Sequence, residues 1–309
     1  MTYDITRQVK GLRGVVATVL TPFTKTERID HRSLHHLIDL YADNGVQGIL
    51  VPVVASEVDK LSHEERLELT ASAIEAVDGR FPVIGGLVSD TPEDVKHASE
   101  QMLGLGCSGL VCRAPRTIAS SNDKTLLQQY FQAASDGCPF FVVQDLAFDD
   151  FGMPLDVIER LAESIPQFQA IKVEVVRTGY KATRIRDLTD NRLDVWSGWA
   201  ALQMIEGLDR GISVFNVSAY NLLFGKICDL YASGNRPQAI KVFETLLPYL
   251  AFGRQHIDIN LQMTKRYLVR RGVFASARMR EPCIEYDEFH ERYGDEIIGR
   301  MIEWESTYG

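Results

Sequence analysis

Residues 48–54 have the sequence Gly-Ile-Leu-Val-Pro-Val-Val, and Ser62-His-Glu-Glu65 follows after a short gap. An apolar run of this length, without alternation of polar and apolar residues, is typical of a strand buried on both faces of a parallel sheet. Ser62 followed by Glu65 forms a capping box, so the spacing predicts a helix from Ser62 to about Val77. The stretch therefore predicts one strand–helix unit of an α/β fold.

Similar apolar runs recur along the chain, and a helical pattern follows each of them. The other runs are residues 14–19, 82–87, 109–112, 139–144, 170–174, 194–197 and 211–215. Eight such units in right-handed succession close into a (β/α)8 TIM barrel, and an open doubly wound sheet is the alternative. After residue 215 only helical patterns remain. We predict a barrel over residues 11–220 and a C-terminal helical extension, packed on the barrel, over residues 221–309.

The composition indicates which partners are disfavoured and which compartment of the cell is favoured. The 309 residues include 33 lysines and arginines against 42 aspartates and glutamates, a net charge of −9, which argues against nucleic acid or an anionic membrane as a partner. Five cysteines without a CxxC pair favour a reducing cytoplasm over a disulfide framework or a zinc site. Residues 1–13 lack the apolar core of a signal peptide, no membrane span is predicted, and the histidines lack metal-ligand spacing.

Lys172 is the exceptional residue of the predicted strands. It lies within Gln169-Ala-Ile-Lys-Val-Glu174, an otherwise buried run, and a lysine is almost never fully buried unless its amine is used. Burial favours the neutral amine, which can attack a ketone and form an imine. Glu174 follows two residues later, so it points to the same side and is placed to transfer protons at that imine. The alternative is a strand-end lysine that pairs with Glu174 or points outward.

Further candidates lie where barrel strands end, because reactive residues of barrels come from the C-terminal ends of strands. Asp145 and Glu57 are candidate catalytic carboxylates, with solvated positions or pairing to arginine as the alternative. The candidate substrate-binding residues are Ser56, Ala55, Gln144, Arg113, Arg116 and Asn216. Two guanidinium groups suit a second substrate carboxylate, although an interface between subunits explains them as well.

The order of these residues resembles the dihydrodipicolinate synthase / N-acetylneuraminate lyase superfamily over residues 11–300. The matching segments are Thr21-Pro22-Phe23, Leu61-Ser-His-Glu-Glu-Arg66, residues 104–109, Ile171-Lys172 and Ser197-Gly198. The resemblance implies a (β/α)8 barrel with helices after it and a homotetramer or dimer of dimers. It also implies a small 2-oxo acid bound as an imine on Lys172, with no other cofactor.

The chain differs from the synthases at three places. It has Val53-Val-Ala-Ser-Glu57 where they carry Gly-Thr-Thr-Gly-Glu, so Ala55 and Ser56 occupy part of the substrate-binding turn. The position of the family's proton-relay tyrosine falls near Pro115, and Gln144-Asp145 replaces Tyr-Asn on the fifth strand. These differences argue against dihydrodipicolinate synthase and sialic acid lyase activity.

The remaining pattern is similar to the branch that dehydrates 2-keto-3-deoxy sugar acids. In that branch Ser-Glu follows the second strand, Val-Gln-Asp ends the fifth, and Lys-x-Glu lies on the sixth; residues 272–278 and Pro282 also fit. We therefore predict a Schiff-base-forming dehydratase. A pyruvate-dependent aldolase or condensing enzyme is the first alternative, and a non-catalytic barrel that binds a 2-oxo acid is the second.

Overall fold

The computed structural model describes residues 9–119, 123–147 and 150–308. Eight parallel strands form a closed barrel in chain order, which confirms the predicted (β/α)8 fold. The strands are β1 (Gly14–Thr18), β2 (Gly48–Val51), β3 (Val83–Leu87), β4 (Gly109–Cys112), β5 (Phe141–Ala147), β6 (Phe168–Val175), β7 (Asp194–Ser197) and β8 (Val214–Phe215). Residues 1–8, part of the segment in which no signal peptide is predicted, lie outside the described residues.

Helices alternate with the strands, and only helices follow β8 in the part of the chain that is described. They are α1 (His31–Asp43), α2 (His63–Val77), α3 (Pro92–Leu105), α4 (Arg116–Ala119), α5 (Lys124–Ser135), α6 (Leu155–Ser164), α7 (Thr178–Leu188), α8 (Met204–Asp209), α9 (Asn221–Ala232), α10 (Arg236–Gly253), α11 (Ile257–Arg270) and α12 (Glu288–Tyr308). The predicted capping box is present: Ser62 Oγ accepts from the Glu65 N–H at 3.2 Å, and Glu65 Oε2 accepts from the Ser62 N–H at 2.9 Å.

Strand ends differ from the prediction at two functionally relevant places. β2 ends at Val51, and the predicted last residue of that run, Val54, begins a 3₁₀ turn. Pro52 has no N–H with which to continue a sheet ladder, so the chain leaves the sheet there. β5 instead continues to Ala147 because it stays paired with β6 as far as Val175. The short helix α4 was not predicted.

The chain divides into two compact units. The first comprises residues 9–16, Gln47–Val51 and Phe81–Asn216, which include β2 to β8 and α3 to α8. The second comprises Ala17–Val46, Pro52–Arg80 and residues 217–308, which include α1, α2 and α9 to α12. The domain boundary predicted at residue 220 stays a prediction.

Candidate active site

β6 places Lys172 and Glu174 on one face, two residues apart. Lys172 is 3% exposed and Glu174 is 7% exposed, and the lysine Nζ lies 3.0 Å from Glu174 Oε2. Lys172 is therefore buried, as predicted, and it pairs with Glu174, which is the contact that the alternative interpretation expects. Imine formation on Lys172 stays a prediction. Within the described residues this ion pair is the one polar side-chain contact that Lys172 makes.

The Glu174 carboxylate accepts hydrogen bonds from β5 and from the turn after β7, both in the first unit. Gln144 Nε2 donates to Oε2, and the backbone N–H of Trp199 donates to Oε1 at 2.8 Å. Gln144 pairs with Lys172 in the β5–β6 register, which brings its side chain to the same side. Three donors, from Lys172, Gln144 and Trp199, thus hold both oxygens of the carboxylate.

The turn after β7 is shaped to bring a backbone N–H to Glu174. A Cβ at Gly198 would overlap the Glu174 carboxylate, so any other residue there would have to displace that side chain. Trp199 and Ala201 both have positive φ, at 49° and 57°, which is uncommon for residues other than glycine. Strained backbone of this kind is characteristic of functional sites, where surrounding structure maintains it.

Asp145 lies next to Gln144 in sequence but on the opposite face of β5. Its Oδ2 lies 2.5 Å from Nζ of Lys181, a residue of α7 that is completely buried. Since helices flank the outside of a barrel, Asp145 faces outward, whereas Gln144, Lys172 and Glu174 face inward. Burial raises the pKa of Asp145 and lowers the pKa of Lys181. The structure does not bring the Asp145 carboxylate to Lys172, because adjacent residues of a strand point to opposite sides.

Glu57 lies in the second unit, where a different buried lysine holds it. Its side chain is 1% exposed; Lys265 Nζ donates to Oε1, and Lys60 Nζ donates to Oε2 at 3.2 Å. The backbone N–H of Arg280 also donates to Oε2, at 3.1 Å. Burial lowers the pKa of Lys265 to about 8. Glu57 is thus part of a buried ion-pair network, and its catalytic role stays a prediction.

The turn at Ala55 and Ser56 belongs to the same unit. Ser56 is completely buried, and its hydroxyl donates to Val19 O at 2.5 Å and accepts from the Val53 N–H at 3.0 Å. Ala55 is half-buried and offers only its backbone groups. Because the Ser56 hydroxyl already closes the turn, substrate binding by these two residues stays a prediction.

Three other predicted residues lie at strand ends of the first unit. Arg113 directly follows β4 and is half-buried, while Arg116 begins α4 and is exposed. Asn216 follows β8 and is 3% exposed; its Nδ2 donates to Val16 O at 3.0 Å. Its Oδ1 is buried without a hydrogen-bond partner in the described part of the chain, so it is an acceptor available to a ligand. Substrate binding by all three stays a prediction.

Two further buried lysines, Lys181 and Lys265, are not among the residues predicted from the sequence. Both lie on helices, where a lysine is unremarkable in a sequence. The helical spacing holds a signal nevertheless: Lys181 shares a face with Thr178, Ala182 and Ile185, and all four are buried. Lys265 likewise lies among buried residues of α11.

The described part of the chain contains neither a metal cluster nor a membrane-spanning helix. Over residues 9–119, 123–147 and 150–308, no three His, Cys, Asp or Glu side chains are arranged to hold a metal ion. Across the same ranges, no helix has the length and apolar character needed to cross a membrane.

A family model and individual relatives point to the same protein family. The family model described as the dihydrodipicolinate synthetase family matches residues 11–299. The 4-hydroxy-tetrahydrodipicolinate synthase of Oceanobacillus iheyensis is 27% identical over 241 residues, which cover 76% of this chain and 80% of that protein. A protein of Thermofilum pendens named as an uncharacterized DapA-like lyase is 26% identical over 241 residues, 76% of this chain and 79% of its own length.

Solved structures agree on the fold. Dihydrodipicolinate synthase from Rhodopseudomonas palustris superposes with a TM-score of 0.85 at 21% identity, covering 93% of this chain and 97% of that one. A catalytic lysine mutant of the Ruminococcus gnavus sialic acid aldolase gives a TM-score of 0.85 at 15% identity, covering 97% and 99%. At these identities the likeness establishes the architecture alone.

Proposed function

We propose that this chain, which belongs to the dihydrodipicolinate synthetase family, binds a 2-oxo acid as an imine on Lys172 and acts on the adduct as a lyase. Members of the family are lyases that form the imine on a catalytic lysine and use no external cofactor. The finer reading, dehydration of a 2-keto-3-deoxy sugar acid, rests on the residues around Lys172.

The single observation that carries the proposal is the difference between Lys172 and the other two buried lysines. An ammonium group has three donors. Lys181 uses its donors on a carboxylate and two backbone carbonyls, and Lys265 on Glu57 and the Arg278 carbonyl. Lys172 has Glu174 as its ion-pair partner in the described chain, so its amine is not held by further described groups as the other two are. Glu174, 3.0 Å away, accepts the proton that must leave before the amine can attack.

Glu174 transfers the proton needed for imine formation. It takes one proton from the Lys172 ammonium, and the neutral amine adds to C2 of the 2-oxo acid. A second proton moves from the nitrogen to the C2 oxygen, and Glu174 returns the first proton to the same oxygen. That oxygen leaves as water, and the protonated imine remains. The carboxylate, ionised again, then removes a C3 proton, because the imine withdraws electrons from that carbon.

The dehydratase step continues from this enamine. Its electron pair forms the C3–C4 double bond as the C4 hydroxyl departs, and Glu174 protonates that hydroxyl to give water. We assign this acid role to Glu174 in place of Asp145, whose carboxylate faces the outside of the barrel and is paired with Lys181. A proton is then lost from C5 and one is gained at C3, and the resulting C4–C5 enol becomes an aldehyde. Hydrolysis of the imine frees the 2-oxo semialdehyde and restores Lys172.

The pyruvate-dependent aldolase remains the second candidate, since curated relatives at 27% identity are named as synthases of this family. Both candidates use the same imine and differ in the bond that breaks beside it. The dehydratase is favoured by Glu174 as the proton acceptor at Lys172 and by the segment Arg113-Ala114-Pro115, which has no tyrosine after β4.

Borohydride trapping tests the imine. The full chain is incubated with pyruvate, and separately with a 2-keto-3-deoxy pentonate, in the presence of borohydride, and the adduct is located by peptide mass mapping. We expect a single reduced adduct at Lys172. Products without borohydride separate the two candidates: pyruvate from the sugar acid identifies an aldolase, and a 2-oxo semialdehyde a dehydratase. Failure of every 2-oxo acid to label the chain would contradict the proposal and favour the non-catalytic barrel.

The homotetramer and the cytoplasmic location are parts of the same proposal. They come from the family resemblance, the net charge and the cysteine pattern. One solved relative with a TM-score of 0.84 is described as a monomeric dihydrodipicolinate synthase variant, so assembly varies among proteins of this fold. Light scattering on the purified chain measures the mass of the assembly directly.

A further inference from the structure

A second buried lysine–carboxylate pair lies in the first unit, in addition to the Lys172 cluster formed by Lys172, Glu174 and Gln144. Asp145 is 3% exposed, Lys181 is completely buried, and their charged atoms are 2.5 Å apart. The free energy lost by removing two charges from water offsets much of the Coulombic attraction in such a pair. Well-packed apolar residues often stabilise a protein equally well. A buried pair at this place therefore suggests a role in fixing geometry.

Both members of the pair also bind the backbone of the segment that precedes α6. Lys181 Nζ donates to Phe151 O at 2.5 Å and to Met153 O at 2.7 Å, and Asp145 Oδ1 accepts from the Met153 N–H at 2.8 Å. The Phe151 ring lies against the ammonium, with Nζ 4.7 Å from the ring centroid. The pair thus ties residues 150–153 to β5 and α7.

Gly152 shows how tightly this segment is held. It has a φ of +72°, and a Cβ there would overlap the Asp145 carboxylate and lie 2.7 Å from Val175 Cγ1. The N–H of Val176, which follows β6, donates to Asp150 O at 3.0 Å. Residues 150–153 are therefore packed against the ends of both strands that supply the Lys172 cluster.

The pair and the site are connected through one strand. Gln144, which donates to Glu174, and Asp145, which binds Lys181, are consecutive residues on opposite faces of β5. A rotation of the strand about its axis moves both side chains together. Anchoring the outer side chain therefore fixes the direction of the inner one.

We propose that Asp145 and Lys181 are positioning residues, which hold the end of β5 so that the Gln144 amide stays on the Glu174 carboxylate. This inference rests on the proposed function. It gives Asp145 an indirect part in the chemistry, from the outer side of the barrel. Two other charged groups act on the pair: Asp150 raises the pKa of Lys181, and Glu174 raises the pKa of Asp145.

The test uses the full chain and pyruvate as the probe. Exchange of the pyruvate C3 protons in D2O, followed by proton NMR, measures imine formation and proton removal without knowledge of the natural substrate. Lys181→Met removes one partner, and Asp145→Leu/Lys181→Met removes both. The double variant leaves no unpaired buried charge, so we expect it to be more stable than Lys181→Met, with a remaining loss from the backbone groups of Phe151 and Met153 that lose their partners. Lys124→Met, which breaks an exposed lysine–aspartate pair of the same unit, is the matched control.

We expect Lys181→Met and the double variant to retain borohydride trapping at Lys172 and to exchange pyruvate protons about 10²-fold more slowly. The loss should fall on the maximal exchange rate and leave the pyruvate concentration at half-maximal rate nearly unchanged, because the pair positions the proton-transfer group and does not touch the substrate. A rate that falls only in proportion to the folded fraction, which circular dichroism measures, would indicate a merely structural role and overturn the inference.

Wild-type exchange in the double variant, or loss of trapping at Lys172, would overturn the inference too. Should the wild-type chain itself neither trap nor exchange with pyruvate, the proposed function fails first. The two failures are therefore distinguishable.

Discussion

The backbone of Gly198 lies directly against the carboxylate of Glu174, with no space between them for a Cβ. The next residue, Trp199, donates its N–H to the same carboxylate at 2.8 Å. One turn after β7 thus provides both the space and a donor for the group that we place at the proton transfers. The close approach makes this turn as important to the chemistry as the side chains.

Gly198→Ala tests that relationship. The added methyl group displaces the Glu174 carboxylate, so we expect the rate of pyruvate C3 proton exchange to fall about 10²-fold. Borohydride trapping at Lys172 should persist. In the control Gly104→Ala, the new Cβ meets no atom within 4 Å on α3. The control should exchange at the wild-type rate and gain about 0.5–1 kcal/mol of stability, since glycine is unfavourable within a helix. Full activity of Gly198→Ala would show that Glu174 can move without consequence.

Lys172→Ala is expected to abolish turnover and trapping while the fold is retained. Gln144 and the Trp199 N–H still satisfy Glu174 when the amine is gone, so circular dichroism should show a folded chain. The exposed Lys124 serves as a control position, where alanine should leave trapping intact. Turnover above the uncatalysed background in Lys172→Ala would contradict the imine mechanism.

Glu174→Gln is expected to lower kcat much more than it raises KM. The amide keeps the size of the side chain and cannot accept a proton, and each proton-transfer partner typically contributes about 10²–10⁴ in rate. Steady-state kinetics on the substrate identified by product analysis gives the two constants separately. An unchanged kcat would remove Glu174 from the mechanism.

The barrel and the Lys172–Glu174 neighbourhood could be predicted from the sequence because both follow from local periodicity. Buried strands produce apolar runs, and a period of two places residues 172 and 174 on one face. The surroundings of Asp145 and Glu57 could not be predicted in this way. Their partners, Lys181 and Lys265, are distant in sequence and lie on helices, and the pairing depends on tertiary packing.

Ser56 shows a related limit of sequence reasoning. A serine after a strand fits a substrate-binding donor and a turn-closing residue equally well. The choice depends on whether Val19 O and the Val53 N–H lie within reach, and both do. Such distances arise only after the chain has folded.

Lys265→Met should strongly destabilise the protein, because it leaves Glu57 buried without its main partner. Loss of one member of a buried ion pair typically costs about 3–5 kcal/mol. In Glu57→Gln/Lys265→Met the unpaired charge is gone, so most of that loss should be recovered. Urea denaturation of the wild type and both variants measures this, with Lys96→Ala as a surface control that should have little effect. Equal stability of the two variants would contradict the coupling of these residues.

The same lysine predicts a pH dependence of stability. Burial lowers the pKa of Lys265 from 10.5 to about 8. Between these values the unfolded chain binds a proton that the folded chain has released, so this residue makes the free energy of unfolding rise with pH. The difference in urea midpoint between the wild type and Lys265→Met should therefore grow in favour of the wild type from about pH 8 to 10.5. A difference that is flat or falls over this window would contradict the assignment.

The consecutive placement of Gln144 and Asp145 on β5 has a consequence for how this barrel can diversify. Deleting one residue upstream in that strand would bring Asp145 to the place of Gln144 beside Lys172 and leave Leu146 facing Lys181. Inserting one residue would instead put Val143 beside Lys172 and Gln144 at Lys181. Both the imine chemistry and the outer anchor would be lost in a single event. Length variation among descendants of this protein should accordingly be absent from β5, and point substitutions alone should alter it.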